Sequence, residues 1–142
     1  MLLIFIINTF VVAIAVIVHF EMLSLLSRSM PRLTIRYRFR IAIGIVGALI
    51  ANIIEVWLFT FSYYALIHSG KFGSLLGIGE ANLMDCAYFS FITYTTLGYG
   101  DVVPIGHLRY LAGLESLTGL VLITWTASFM FFEMQKYWNE DE

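Results

Sequence analysis

The sequence predicts an all-α membrane protein, with three transmembrane helices plus a short re-entrant helix and loop in each subunit. Of its 142 residues, 60% are hydrophobic and 13% are charged, a composition that excludes an ordinary soluble domain. Three apolar segments each exceed the roughly 20 residues that a helix needs to cross the hydrocarbon core. These segments are residues 2–26, 41–67 and 108–132.

The first segment, within residues 1–27, predicts a retained N-terminal transmembrane helix. It lacks a basic start, its apolar stretch is long, and no small-x-small cleavage pattern follows it. These features distinguish it from a secretory signal peptide.

Residues 28–40 form a basic connector between the first two spans. Its five arginines are Arg28, Arg32, Arg36, Arg38 and Arg40. The opposite side carries only Lys71 and Arg109. The positive-inside rule therefore predicts a multi-pass protein of the cell membrane with a cytoplasmic connector, an external N-terminus and a cytoplasmic C-terminus.

The connector arginines do not resemble a voltage sensor, because Arg36, Arg38 and Arg40 repeat every second residue, and because the connector lies outside the apolar spans. Two interpretations remain. The arginines set the orientation alone, which we favour, or they also bind anionic lipid headgroups at the membrane surface. The lipid interpretation assigns the contact to Arg32, Arg36, Arg38 and Arg40.

The segment from residue 67 to residue 108 connects the second and third spans on the predicted outer side. Four glycines within residues 69–81 predict a flexible loop. Residues 82–95 then predict a helix too short to span the membrane, with Asn82 as N-cap and Asp85 in the first turn. Such a re-entrant helix is tolerated at membrane depth only where protein buries it.

The sequence TYTTLGYGD, residues 93–101, follows this short helix and is the most informative motif of the chain. Gly98 and Gly100 stand at alternate positions, and glycine adopts left-handed backbone conformations without the cost that other residues bear. If the residues between them stay right-handed, successive carbonyls turn toward one axis. The motif therefore predicts a rigid segment lined by backbone carbonyls.

Residues 41–132 resemble the pore-domain potassium channel superfamily, of the minimal type with an outer helix, pore helix, filter and inner helix. The resemblance is sharpest over residues 88–104, and the first helix is an addition to the shared module. It implies a potassium selectivity filter at Thr96, Leu97, Gly98, Tyr99 and Gly100.

The resemblance also implies roles for individual residues. The carbonyls of Thr96, Leu97, Gly98 and Tyr99, with the Thr96 hydroxyl, would coordinate K⁺ as the transported ion, and no other cofactor is expected. Asp101 would bond to the short helix through Tyr88. These two residues and Thr95 would support the filter.

Three residues depart from the usual pattern of that superfamily. Leu97 stands where valine or isoleucine is usual, with its side chain turned away from the pore. Phe89 replaces a hydrogen-bonding tryptophan, and Ile92 replaces a carboxylate found in some members. The lost bonds predict faster filter inactivation or weaker discrimination against sodium.

One such loop supplies only one wall of an ion path, and the chain has no second Gly-Tyr-Gly. The sequence therefore predicts a homotetramer around one pore that conducts K⁺ passively. The expected partners are further copies of the chain and membrane lipids, and no binding of nucleic acid is expected. A non-selective cation channel and a non-conducting regulatory subunit are the alternatives. An enzyme is least favoured, because no nucleophile triad, phosphate loop or metal-ligand spacing occurs.

Glu55 and Glu115 are unexpected within apolar spans, and helical rise places them at similar depth. We expect hydroxyl partners such as Ser90, Thr93 or Thr118, or a shared proton. One interpretation is that a carboxyl group braces the short helix and tunes gating. The other is a neutral carboxyl satisfied by hydrogen bonds.

Gly119 is either an inner-helix hinge that takes part in gating or a point of close helix contact. His19 and His68 are expected to be passive residues near span ends. His107 lies at the predicted outer mouth, where it would confer pH sensitivity. Residues 133–142 predict a short cytoplasmic tail whose acidic end is either a solvated tail, which we favour, or a ring at the inner mouth.

Overall fold

A computed structural model describes residues 2–32, 34 and 36–138 of the chain. Four helices account for most of it: α1 (Leu2–Ser29), α2 (Tyr37–His68), α3 (Leu83–Tyr94) and α4 (Leu108–Trp138). A single 3-10 turn follows α1 at Met30–Arg32. Helices α1, α2 and α4 are long and apolar enough to cross a membrane, which confirms the predicted all-α membrane architecture.

The three long helices pack through stripes of buried residues at three- and four-residue spacing. In α1 this stripe comprises Ile4, Asn8, Val11, Ala15, His19 and Leu23. It faces α2 and α4, so α1 packs directly against both. Helix α3 lies between α2 and α4 and contacts each of them.

The long helices extend beyond the apolar segments that predicted them. Helix α1 continues to Ser29 and α2 begins at Tyr37, so the non-helical connector is shorter than residues 28–40. Helix α4 continues to Trp138, into the predicted tail, and residues 139–142 lie outside the described part. Hydropathy marks where a helix meets lipid, whereas arginine, glutamate and lysine continue a helix into water at little cost.

The loop between α2 and α3 is more ordered than its glycines predict. Strand β1 (Leu75–Leu76) pairs in antiparallel fashion with strand β2 (Val103–Pro104). At Gly77, which has a φ of 99°, an added Cβ would lie 2.0 Å from the Asp101 carbonyl oxygen. The glycine thus permits close approach of two backbones, and the β1–β2 ribbon ties this loop to the segment after residue 100.

Helix α3 begins as the sequence predicts. The Asn82 side chain accepts a hydrogen bond from the Asp85 N–H at 2.9 Å, and the Asp85 carboxylate accepts one from the Asn82 N–H at 3.0 Å. This reciprocal capping box satisfies two N–H groups that would otherwise be unpaired at the helix start. It fixes the N-terminal end of α3.

Candidate functional site

Residues 96–100, here called the TLGYG loop, leave the end of α3 in a tight turn. Thr95 is the C-cap of the helix, and its hydroxyl donates to the Phe91 carbonyl at 2.7 Å. The Thr96 N–H donates to the Thr93 carbonyl at 3.0 Å, and the Gly98 N–H donates to the Ile92 carbonyl at 2.9 Å. The loop is therefore hydrogen-bonded back onto the last turn of its own helix.

The backbone of the TLGYG loop alternates in handedness. Gly98 and Gly100 have φ values of 53° and 82°, as the glycine spacing predicts. Thr96 has a φ of 58° and is the one non-glycine residue with positive φ in the described part of the chain. Leu97 and Tyr99 separate these three positions, so left-handed residues recur at every second position.

The left-handed Thr96 was not predicted from the sequence. A β-branched residue in this region is strained, at a cost of about 1–3 kcal/mol, and such strain persists only where the surroundings enforce it. Here the N–H groups on both sides of Leu97 are bound to the end of α3. The strain therefore accompanies the turn that carries the chain from helix to loop.

Tyr88 and Asp101 are joined across the loop. The Tyr88 hydroxyl donates to Asp101 Oδ2 at 2.6 Å, and Asp101 Oδ1 accepts from the Val102 N–H at 3.0 Å. The hydrogen bond to Asp101 is the main reason that the pKa of the Tyr88 phenol is raised. The residue after the TLGYG loop is thus tied to the N-terminal half of α3.

Glu115 is fully buried and bound to the other side of α3. Its carboxylate accepts hydrogen bonds from the Tyr63 hydroxyl at 2.6 Å and the Ser90 hydroxyl at 2.5 Å. The Ser90 oxygen also lies 3.0 Å from the Val56 carbonyl. Ser90 was among the predicted partners. Tyr63 was not, and the hydroxyl of Thr118 instead donates within its own helix to Leu114.

Glu55 is also fully buried, and its partners were missed by the sequence. His19 Nδ1 lies 2.7 Å from one carboxylate oxygen, and the Tyr94 hydroxyl donates to the other. The expected position of His19 as an isolated residue near a span end is therefore wrong, because the residue is buried and bound to α2. A partial signal was present, because a histidine within an apolar span usually faces the interior of the helix bundle, but the sequence does not specify its partner on α2.

Gly119 is a point of close helix contact. A Cβ added there would lie 2.1 Å from the Tyr94 carbonyl oxygen, a distance too short for any side chain. Only glycine lets α4 approach the end of α3 this closely. This contact is one of the two predicted interpretations, and the hinge role remains a prediction.

One face of the TLGYG loop is uncovered within a single chain. Leu97 and Tyr99 are 56% and 67% exposed. The alternate residues of the loop, Thr96, Gly98 and Gly100, line a cleft of about 400 Å³ together with residues of α4. Phe89 lines this cleft and meets the Tyr63 ring edge-on at a centroid distance of 5.1 Å, so it contributes packing where a tryptophan would donate a hydrogen bond.

The remaining predicted residues are the connector arginines and His107. Arg32, Arg36 and Arg38 are exposed at the opposite end of α2, and Arg40 is half-buried there. His107 is exposed at the start of α4.

Comparison with known proteins agrees with this architecture. A family described as ion channels matches residues 51–136, more than half of the 142 residues. The chain therefore belongs to this ion-channel family, within the pore-domain superfamily that its sequence resembles. No curated protein and no solved structure matches the chain. The matched region includes Glu55, α3, the TLGYG loop and most of α4, and it leaves α1 outside.

Proposed function

We propose that the protein is a potassium-selective channel in which the TLGYG loops of four identical chains form the selectivity filter. The observation that carries this proposal is the alternation of left-handed residues at positions 96, 98 and 100. Alternate handedness turns successive carbonyl groups to one side of the chain. Rings of such carbonyls replace the hydration shell of K⁺.

A homotetramer follows from the number of oxygens that a desolvated ion needs. One loop provides a single carbonyl at each level, so the remaining ligands come from copies around a symmetry axis. The exposure of Leu97 and Tyr99 supports this assembly, since neighbouring chains would cover these large side chains. In the tetramer α2 and α4 would surround the ion path, and α3 would be re-entrant.

The proposed transport is passive. The C-terminal end of α3 would assist it by stabilising the ion. The C-terminal end of a helix carries partial negative charge. Four copies of α3 would direct these ends toward the inner side of the filter and stabilise a cation that has shed water. The connector arginines would lie in the cytoplasm, with the TLGYG loop toward the outside.

The decisive experiment measures ion flux through purified protein in liposomes. We expect potassium uptake that barium blocks, and a reversal potential in mixed salts that follows potassium and not sodium. Equal permeability to the two ions would identify a non-selective cation channel. Intact tetramers without flux would identify a regulatory subunit.

Two glycine variants sharpen this test. Gly98→Ala forces a side chain into a left-handed position, with a φ of 53°, and should reduce the selectivity for potassium. Gly79→Ala is the matched control, because no described atom lies within 4 Å of its added Cβ and its φ is not in the left-handed region. The control should conduct like the wild type. Unchanged selectivity in Gly98→Ala would contradict the proposed filter.

A further inference from the structure

Helix α1 lies outside the region that defines the ion-channel family, yet it contributes a buried polar side chain to that region. The family match begins at residue 51, whereas α1 ends at Ser29. His19 of α1 and Glu55 of α2 are both 0% exposed within one chain. Adding further subunits cannot expose them, so their contact is independent of how the chains assemble.

Two hydrogen bonds lead from α1 to the end of α3. His19 Nδ1 lies 2.7 Å from Glu55 Oε1, and the Tyr94 hydroxyl donates to Glu55 Oε2. Tyr94 is the last residue of α3 and lies two positions before Thr96. Its carbonyl is also the group that packs against Gly119 of α4. The Tyr94 side chain and backbone are thus held from two sides immediately before the TLGYG loop.

Longer contacts extend these hydrogen bonds into a ring of side chains from all four helices. Thr126 Oγ1 lies 3.4 Å from His19 Nε2 and 3.5 Å from Asn52 Nδ2. Asn52 Oδ1 in turn lies 3.1 Å from the Tyr94 hydroxyl. With the ring proton on His19 Nδ1, each of the two contacts of Thr126 pairs a donor with an acceptor, whereas Glu55 and Asn52 Oδ1 are alternative acceptors for the single proton of the Tyr94 hydroxyl. The two contacts of Thr126 are the weakest, because they are the longest.

Glu55 needs both of its partners to remain in this position. A carboxylate within an apolar span is strongly unfavourable unless charge or hydrogen bonds compensate it. His19 supplies the partner for one oxygen and Tyr94 the partner for the other. Without His19, one oxygen would lose its donor, and Glu55 would be expected to reorient and release Tyr94.

We propose that His19 is a positioning residue for ion conduction, which acts through Glu55 to hold Tyr94 and so fixes the start of the TLGYG loop. Helix α1 would therefore help to support the filter through His19. This inference rests on the proposed channel function. The inference goes beyond the channel function because it gives α1, which the family module lacks, a contribution to potassium selectivity or to the persistence of the current.

The test compares two amide substitutions that differ only in reach. His19→Asn places its amide nitrogen near the position of Nδ1 and keeps the donor to Glu55. His19→Gln places its amide near the position of Nε2, toward Thr126, and removes that donor. We expect His19→Asn to retain the wild-type potassium-to-sodium permeability ratio and rate of current decay. We expect His19→Gln to lower the ratio and speed the decay several-fold.

The control is Thr60→Val, another fully buried polar residue of α2. Its hydroxyl donates only to Val56, within its own helix, so its loss should leave conduction unchanged. Equal behaviour of His19→Asn and His19→Gln would overturn the proposal, since a purely structural histidine would not distinguish them. A change in Thr60→Val as large as in His19→Gln would also overturn it.

A second measurement does not depend on conduction. Thermal unfolding of His19→Gln, Tyr94→Phe and the double variant forms a double-mutant cycle. If the two residues act through Glu55, the double variant should be less destabilised than the sum of the single changes. Additive changes would overturn the proposed coupling. A wild-type protein without potassium selectivity would instead contradict the proposed function, and the cycle would still decide whether His19 and Tyr94 are coupled.

Discussion

Two buried acidic side chains in the interior of this protein contact α3. Glu55 and Glu115 each accept two hydrogen bonds, and each receives one of them from α3, at Tyr94 and Ser90 respectively. These two residues lie one helical turn apart. Glu55 and Glu115 are therefore best explained by the helix that they hold in place.

At Glu115, the number of hydrogen bonds predicts an order of stability among variants. Glu115→Gln keeps one oxygen acceptor, whereas Glu115→Ala keeps none and leaves the Tyr63 hydroxyl buried without its acceptor. A buried unsatisfied hydroxyl costs about 1–3 kcal/mol. We expect thermal unfolding in detergent to rank wild type above Glu115→Gln, and Glu115→Gln above Glu115→Ala.

The same variants separate the two interpretations of Glu115. If the carboxyl group tunes gating, Glu115→Gln should change the pH dependence of potassium currents. Currents that match the wild type at every pH would leave Glu115 with a structural role only. Equal stability of Glu115→Ala and wild type would contradict both interpretations.

Among the elements, α3 has the most varied set of constraints. A capping box fixes its first turn, Tyr88 binds Asp101, and Ser90 and Tyr94 bind the two buried carboxylates. Both ends of the helix are therefore anchored by side chains in addition to packing. The TLGYG loop inherits its position from this helix, because the Thr96 and Gly98 N–H groups bond to its last turn.

The contact between α4 and α3 at Gly119 predicts that alanine substitutions at two glycines of α4 change the stability differently. Gly119→Ala would bring a Cβ to 2.1 Å from the Tyr94 carbonyl oxygen and force the helices apart, which typically costs about 1–3 kcal/mol. In Gly113→Ala, the added Cβ has no described atom within 4 Å. That change should be neutral or stabilising by about 0.5–1 kcal/mol, because alanine favours helix.

Unfolding temperature and tetramer yield measure this difference. We expect both to fall in Gly119→Ala and not in Gly113→Ala. If Gly119→Ala were as stable as the wild type but altered channel opening, the hinge interpretation would be supported and the close contact would not be essential.

The β1–β2 ribbon gives a second prediction at this scale. Gly77→Ala would place a Cβ 2.0 Å from the Asp101 carbonyl at a φ of 99°, so the ribbon would have to move away from the residue that follows the loop. We expect current through Gly77→Ala to decay faster than through the Gly79→Ala control. Equal decay in the two variants would show that the ribbon does not constrain the conducting loop.

Local features of these elements were predictable and distant contacts were not. The capping box involves residues three apart, and the left-handed glycines follow from glycine chemistry alone. The His19–Glu55 contact joins residues 36 apart, and no local pattern specifies which face of α1 meets α2 at which level. The β1–β2 ribbon was missed for the same reason, since two-residue strands carry no periodicity.

For the whole molecule, the distribution of arginines predicts its orientation. In a Cys86→Ala background, which removes the buried native thiol, cysteines at exposed positions report sidedness. Lys71→Cys should react with an impermeant maleimide on intact cells, and Arg36→Cys should react only after lysis. The reverse pattern would place the connector outside and contradict the positive-inside assignment.

The hydrogen-bonded shape of the TLGYG loop has a consequence for biogenesis. Because the hydrogen bonds that shape this segment run within one chain, subunits of the proposed tetramer would meet with the loop already formed, and their association would be a docking reaction whose rate depends on their density in the bilayer. Until they meet, Tyr99 would face lipid or water. Low expression should therefore favour monomeric subunits that are folded but do not conduct ions.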